Sequence, residues 1–179
     1  MIISWLIIAV LVLAISSGLI HNFNVLFRQQ APFIPSRRGA LKTIASTIDL
    51  SDGQVFFELG AGSAPLLRRL AKIYPRVNFV GIEYSLIPWL IGALLSWPYR
   101  NIKILKQNFW RADLSRADFI YCFLNVQTMR ELEDKFKADC KHNATIISYI
   151  FKLPHTEPSK ILDFGQAKIY FYQINNLDK

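Results

Sequence analysis

Two acidic residues and two glycines are spaced along this chain in a way that suits nucleotide binding. Glu58 precedes Gly60 and Gly62 at the end of one apolar run, and Glu83 ends the next apolar run. Neither glycine carries a Cβ, so the backbone there can turn sharply and come close to a ligand. A carboxylate at the tip of the second run can accept hydrogen bonds from a ribose diol. These four residues predict a nucleotide-type pocket.

A βαβ unit over Val55 to Glu83 would position these residues. It consists of an apolar run, a helix-like segment over about 64–74, and a second apolar run. Pro65 falls in the first turn of the helix, where no amide hydrogen is needed. The sequence therefore predicts that the glycine turn and both acids lie at the strand ends of an α/β domain.

The spacing distinguishes between two classes of cofactor. A dinucleotide fingerprint has a third glycine five residues after the first, where this chain has Pro65, and it needs no acid before the first glycine. Glu58 and Pro65 thus both argue against NAD. The pattern acid-x-Gly-x-Gly, followed by an acid that ends the next strand, resembles class I S-adenosylmethionine-dependent methyltransferases. The alternative is an α/β domain whose strand-to-helix turn is tight for packing reasons alone.

This resemblance implies a set of cofactor contacts. Glu58 would help to hold the cationic methionine end of S-adenosylmethionine, usually through water, and Glu83 would bind the ribose. Asn108 and Phe109 follow a third strand over 102–105, where the class contacts adenine; the alternative is an aromatic turn that closes the core. The implied cofactor-binding residues are Glu58, Gly60, Ala61, Gly62, Glu83, Tyr84, Asn108 and Phe109.

The methyl acceptor has weaker signals. Trp110, Tyr149 and Phe151 lie at or just beyond predicted strand ends and are the acceptor-side candidates, while no catalytic residue is identified. Enzymes that methylate exocyclic amines or glutamine amides commonly carry Asn/Asp-Pro-Pro-aromatic after the fourth strand. This chain has the sequence Asn-Val-Gln-Thr over 125–128 instead, which argues against adenine-N6 or glutamine chemistry.

The C-terminal part predicts the rest of the sheet. A strand over 145–151 is followed by a hairpin of 161–164 and 168–174 across Gly165, with period-two alternation in the last strand. An antiparallel terminal strand on a mostly parallel sheet suits the Rossmann-like class I methyltransferase architecture. The predicted fold class is therefore α/β with this sheet, preceded by an N-terminal transmembrane helix.

The transmembrane helix is predicted from residues 2–20, which carry no charged side chain and are long enough to span about 30 Å of hydrocarbon. A cleaved signal peptide is the alternative, but no basic residue precedes the apolar run. The first basic residues, Arg28, Arg37, Arg38 and Lys42, follow the run and predict a cytoplasmic domain on a single-pass protein of the cell (inner) membrane.

Three regions follow: an anchor over 1–22, a linker and lid helix over 23–50, and a methyltransferase domain over 51–179. The helix over about 36–47 predicts either a lid on the cofactor or a plain packing helix. A second helix, over 84–97, is apolar nearly all round. It predicts either a buried helix or one whose exposed side, including Trp89 and Trp97, faces a bilayer or a membrane-embedded substrate.

The net charge of +8 favours anionic lipid headgroups over nucleic acid as a partner of a tethered domain. Cys122 and Cys140 lack CxxC spacing and are expected to be reduced. His21, His142 and His155 are scattered without ligand spacing, so no metal site is expected.

Three sequence blocks narrow the resemblance. They are Pro-Phe-Ile-Pro-Ser over 32–36, the unit from Glu58 to Glu83 running on into Trp89 and Leu90, and Ser-Tyr-Ile-Phe-Lys-Leu-Pro over 148–154. Together they resemble membrane-anchored protein-lysine methyltransferases that modify the mitochondrial ADP/ATP carrier and the ATP-synthase c ring protein, with their prokaryotic relatives. This chain departs from that family at 63–65, where Ser-Ala-Pro replaces an acid, glycine and arginine, so one cofactor contact is lost.

The resemblance implies a membrane-anchored enzyme that methylates lysine side chains of a membrane protein. The lysine must lose a proton before it attacks the sulfonium methyl group, and a dry, aromatic-lined site favours the neutral amine. The alternatives are a methyltransferase of a small molecule, lipid or RNA, an anchored NAD- or nucleotide-binding enzyme, and a degenerate, non-catalytic nucleotide-binding scaffold.

Overall fold

Seven strands form one sheet in the computed structural model, which describes residues 4–8, 10, 12, 16 and 38–174. Their spatial order is β3-β2-β1-β4-β5-β7-β6. The strands are β1 Val55–Leu59, β2 Asn78–Glu83, β3 Ile102–Lys106, β4 Phe119–Cys122, β5 Ala144–Tyr149, β6 Lys160–Phe164 and β7 Ala167–Ile174.

The five strands from β3 to β5 pair in parallel, and β7 runs antiparallel to β5 and β6. This confirms the predicted Rossmann-like sheet with an antiparallel terminal strand. The chain builds outward from β1 to β3 and then returns to β4 on the other side of β1. The crevice beyond the carboxyl ends of β1 and β4 is therefore the topological switch point, where α/β sheets bind ligands.

Four helices cover the two faces of the sheet: α1 Arg38–Thr47, α2 Pro65–Ile73, α3 Leu86–Ser96 and α4 Val126–Asp139. Tyr121 and Ile147 join the apolar side chains of α1 and α2 in one core cluster. The next residues along their strands, Cys122 and Ser148, contact Met129 of α4 instead. Because side chains alternate along a strand, α4 lies on the opposite face from α1 and α2.

The connection between β3 and β4 has no long helix. It contains the 3-10 turn Phe109–Arg111, and its apolar residues Ala112, Leu114 and Ala117 are buried. Lys135 of α4 donates a hydrogen bond to the Ala112 carbonyl at 2.9 Å, so this loop is fastened to the face that α4 covers.

The helix predicted over about 36–47 begins at Arg38 in the structure, and Ser36 lies outside the described residues. Its predicted apolar side is buried, with Ala40 and Ile44 fully inaccessible. The Tyr74 hydroxyl, just after α2, donates to the Ile48 carbonyl at 2.8 Å. These contacts bear out the packing helix, while the lid over the cofactor stays a prediction.

The chain divides into two units, Met1–Pro32 and Phe33–Lys179. The residues described in the first unit are helical. Across the described parts of the chain, no helix combines the length and the apolar character that crossing a bilayer requires, so the predicted transmembrane helix is not supported there. Most of the predicted span over 2–20 and the proline linker over 31–35 lie outside the described residues.

Candidate functional site

The glycine turn lies at the carboxyl end of β1, as the sequence predicts. Gly60 and Gly62 have φ values of 71° and 55°, which L-residues with a side chain rarely adopt. The amides of Gly60 and Ala61 both donate to the Ile82 carbonyl, at 2.9 and 3.0 Å. The turn is thereby fixed to β2 at the edge where a ligand binds.

Glu58 is buried at the end of β1 with one of its carboxylate oxygens unpartnered. The residue is 5% exposed, and Oε2 has no hydrogen-bond partner. Burial raises the pKa of Glu58 to about 8, against the lowering effects of the Leu67 backbone amide and the nearby Arg68. A buried acid with an open oxygen is suited to a cationic group that enters the site.

Glu83 ends β2 and ties the two strands together. Its Oε2 accepts from the Gly62 amide at 2.9 Å, and its Oε1 accepts from the Ser85 amide at 2.7 Å. Each carboxylate oxygen has a further lone pair that can accept from a hydroxyl group. The expected ribose contact at Glu83 stays a prediction, and the neighbouring Tyr84 is 43% exposed.

The Ser-Ala-Pro sequence over 63–65 forms the link from the glycine turn to α2. Ala64 is fully buried and left-handed, with φ 53° and ψ 47°. This conformation explains why a glycine is favoured at position 64 in the resembling family. Arg68 of α2 donates to the Ser63 carbonyl, so the link stays bonded to the protein although the family's acid and arginine are absent.

The proposed adenine residues lie at the end of β3. The Gln107 amide donates to the Glu83 carbonyl at 3.0 Å, which brings this end next to that of β2. The Asn108 side chain accepts from the Trp110 amide at 3.0 Å and so begins the 3-10 turn. The rings of Phe109 and Trp110 are 5.0 Å apart, and both belong to the same strand-end edge as the glycine turn.

The acceptor-side candidates Tyr149 and Phe151 are linked by an aromatic residue that the sequence analysis missed. Phe123, just beyond β4, has its ring centroid 4.9 Å from that of Tyr149 and 6.3 Å from that of Phe151. Tyr149 is buried, whereas Trp110 is 37% exposed. The position of Phe123 immediately after a buried strand was the available signal.

Ile150 between these aromatics has φ 74°, a costly conformation for a β-branched residue. Its amide donates to the Lys168 carbonyl of β7 at 2.8 Å. Backbone strain of this kind is held only where surrounding structure fixes it, and it is concentrated at ligand sites. The strained residue lies directly at the carboxyl end of β5.

Gly92 of α3 is a second residue that the sequence analysis did not select. A Cβ at this position would lie 2.6 Å from the Gly62 carbonyl oxygen, so only glycine allows α3 this close to the glycine turn. A glycine inside an otherwise strong apolar helix costs about 1 kcal/mol relative to alanine and was the available signal.

The site fits S-adenosylmethionine by its donor and acceptor set. The open buried oxygen of Glu58 suits the ammonium of the methionine part, and Glu83 at the neighbouring strand end suits a ribose diol. Gly60 and Gly62 leave the approach free of side chains. Over residues 38–174 and the described N-terminal positions, no three His, Cys, Asp or Glu side chains are grouped closely enough to hold a metal ion.

Comparison with known proteins identifies relatives of one kind. The model of the family described as "ANTKMT methyltransferase domain" matches residues 58–160. The chain is 22% identical over 157 residues to mouse (Mus musculus) adenine nucleotide translocase lysine N-methyltransferase, covering 85% of this chain and 67% of that protein. It is 22% identical over 146 residues to the human (Homo sapiens) lysine N-methyltransferase named for the C-type subunit of ATP synthase, covering 79% and 60%.

A relative of similar size and a solved structure extend the comparison. The chain is 20% identical over 150 residues to a protein-lysine N-methyltransferase of Saccharolobus islandicus (strain REY15A), covering 80% of this chain and 93% of that protein. An RNA methyltransferase from Salinibacter ruber in complex with S-adenosyl-L-homocysteine has the same fold, with a TM-score of 0.75 and 16% identity over 79% of this chain and 94% of its own. The chain thus spans about two thirds of its mammalian relatives' length.

Proposed function

Because the chain belongs to the ANTKMT methyltransferase domain family, we propose that it transfers a methyl group from S-adenosylmethionine to lysine side chains of a membrane protein. The family assigns methyl transfer and the donor. The lysine acceptor is supported by the names of the three relatives, which are all lysine N-methyltransferases. The observation that carries the proposal is the family match across the whole candidate site, from Glu58 to the loop after β5.

The chain's own residues would bind and orient the two reactants. Glu58 and Glu83 would hold the two ends of the donor, and the glycine turn would admit its sulfonium without a side chain in the way. S-adenosylmethionine supplies an electrophilic methyl group that a neutral amine can attack in line. Alignment of the two reactants accounts for most of the acceleration in such a transfer.

The aromatic cluster of Phe123, Tyr149 and Phe151 supports a lysine acceptor. A lysine ammonium has no lone pair, so it must be deprotonated before it reacts. Burial among apolar rings lowers the pKa of an amine because the charged form loses hydration. The cluster lies at the ends of β4 and β5, at the same sheet edge as the glycine turn, and would favour the neutral lysine there.

We also propose that residues 2–20 anchor the protein in the cell (inner) membrane, with the methyltransferase domain on the cytoplasmic side. The support is the uncharged run itself and the basic residues that follow it. The two mammalian relatives are named for substrates of membrane systems, the adenine nucleotide translocase and a component of ATP synthase. An anchor would confine the enzyme to the surface where such an acceptor is found.

Tritiated-methyl labelling tests the acceptor. The purified full chain is incubated with labelled S-adenosylmethionine and with membrane and soluble fractions of the source organism. The labelled species is then separated as protein, lipid, RNA or small molecule, and a labelled protein is digested and analysed for methylated lysine. We expect label in a membrane protein, on lysine. Label only in RNA, lipid or a small molecule would refute the lysine assignment.

A pair of glycine variants controls the labelling. Gly60→Arg places a side chain at φ 71°, where its Cβ would lie 3.3 Å from Leu124, and should abolish transfer. Gly53→Arg makes the same change at φ 83°, in the turn before β1 at the opposite end of that strand, with no atom within 4 Å of the new Cβ. Equal activity in the two variants would show that the glycine turn is not the donor site.

A further inference from the structure

Helix α3 exposes an apolar surface that the proposed reaction does not use. No charged residue occurs between positions 84 and 99, and only Gly92 and Ser96 of the helix are buried. The exposed large side chains range from 39% to 87% of their accessible area and are Leu86, Ile87, Leu90, Ile91, Leu94, Leu95 and Trp97. A continuous exposed apolar surface of this kind marks a contact site.

Basic side chains lie beside this helix. Arg68, Arg69 and Lys72 on the outer side of α2 line a surface pocket of about 430 Å³ together with Tyr99, which follows α3. The chain from 59 to 112 has eight basic residues and one acidic residue, a balance of +7 within a total of +8. That one acid, Glu83, is buried. The exposed charge around α3 is therefore entirely positive over this stretch.

We propose that the outer sides of α2 and α3, called here the α2–α3 face, dock onto a bilayer that contains anionic phospholipid. The apolar side of α3 would enter the boundary between headgroups and acyl chains, and the cations of α2 would meet the phosphates. An exposed apolar helix with flanking Lys and Arg and a tryptophan at its end is the pattern of interfacial membrane binding.

The pattern favours lipid over nucleic acid. An RNA surface offers phosphates and bases to basic and aromatic side chains, but it offers nothing to the uncharged leucines and isoleucines of α3. A bilayer interface accommodates both the apolar helix and the cations. The proposal depends on the composition of this face alone, so it stands whether or not lysine is the acceptor.

Docking would bring the cofactor site close to the membrane surface. Gly92 of α3 contacts the Gly62 carbonyl region, and Trp89 of the same helix donates through Nε1 to the Ile104 carbonyl at 3.2 Å. The helix is thus fixed to the glycine turn and to β3. A bilayer that holds α3 would hold the turn at a defined depth as well.

Site-directed spin labelling of the full chain in nanodiscs tests the proposal. Cys122 and Cys140 are buried, and burial raises the pKa of each thiol to about 12, so a nitroxide reagent will react with an introduced cysteine such as Leu94→Cys. Accessibility to oxygen and to a water-soluble nickel chelate reports the depth of the label. We expect the label at 94 to enter the lipid in phosphatidylglycerol-containing nanodiscs and to stay in water in phosphatidylcholine nanodiscs.

Two matched controls separate this face from other contacts. Val126→Cys on α4 is also exposed, at 61%, but lies on the opposite face of the sheet and should stay in water in both lipids. Arg69→Glu should weaken docking at 94 by about 25-fold, since each removed charge costs about five-fold and reversal removes two. Arg130→Glu on exposed α4 should leave it unchanged.

Three results would overturn the proposal. The label at 94 could stay in water in both lipids, it could reach the same depth without anionic lipid, or it could be shielded before any lipid is added. The last result would indicate a protein contact or self-association. Since none of these measurements uses methyl transfer, their failure is distinct from failure of the proposed reaction.

Discussion

Binding of S-adenosylmethionine should release a proton from Glu58. Burial raises the pKa of this carboxyl group to about 8, so about 0.9 of a proton is bound at pH 7 before the ligand arrives. An ammonium group next to the carboxylate lowers that pKa again. The expected release is therefore close to 0.9 proton at pH 7, and it should fall to about 0.1 at pH 9.

Isothermal titration calorimetry measures this release. The binding enthalpy of S-adenosylhomocysteine, which carries the same ammonium, is determined in phosphate and in Tris, whose ionisation enthalpies differ. The slope of observed enthalpy against ionisation enthalpy gives the number of protons. Glu58→Gln keeps the shape of the side chain and should bring the slope to near zero. A wild-type slope near zero, or the same slope in Glu58→Gln, would refute the assignment of Glu58 to the ammonium.

The same pKa fixes a stability trend without ligand. Between the ordinary value of 4.5 and about 8, the folded protein keeps a proton on Glu58 that the unfolded chain has lost. The stability that this proton provides is complete below pH 4.5 and is lost as the pH rises through about 8. Thermal unfolding of the wild type should therefore shift to lower temperature over this range relative to Glu58→Gln. Parallel curves for the two proteins would contradict the buried acid.

Three further substitutions follow from the site. Ala64→Gly should stabilise the protein by about 0.5–1 kcal/mol in urea unfolding, because the left-handed strain exceeds the added chain entropy; a destabilised variant would argue against the strain. Gly92→Ala should weaken S-adenosylhomocysteine binding about ten-fold by pushing on Gly62, whereas Leu94→Ala on the exposed side of α3 should bind normally. Glu83→Ala removes both amide contacts of the carboxylate and should abolish binding in calorimetry; unchanged affinity in a folded variant would exclude its role.

Much of the fold could be predicted because its signals are local. The apolar run before Glu58, Pro65 in the first turn of α2 and the alternation in the last strand each determine one element. The structure places α2 at Pro65–Ile73 and the last strand at Ala167–Ile174, close to the predicted bounds. The insertion of β7 between β5 and β6 follows from pairing between distant segments, which no local pattern states.

The site was predicted less completely than the fold. The glycine turn and its two acids were found because their residue types are demanded by a sharp turn and a charged ligand. Phe123 and Gly92 were missed because their roles depend on what they face across the fold, namely the ring of Tyr149 and the carbonyl of Gly62. The pKa of Glu58 could not be predicted either, since it depends on burial under α2.

A structure of the full chain with bound S-adenosylhomocysteine tests the central claim most directly. The two acids at the ends of β1 and β2 should hold opposite parts of the ligand. We predict the amino group within one water molecule of the Glu58 carboxylate and the ribose hydroxyls about 2.7 Å from Glu83. A ligand bound away from both carboxylates would contradict the account.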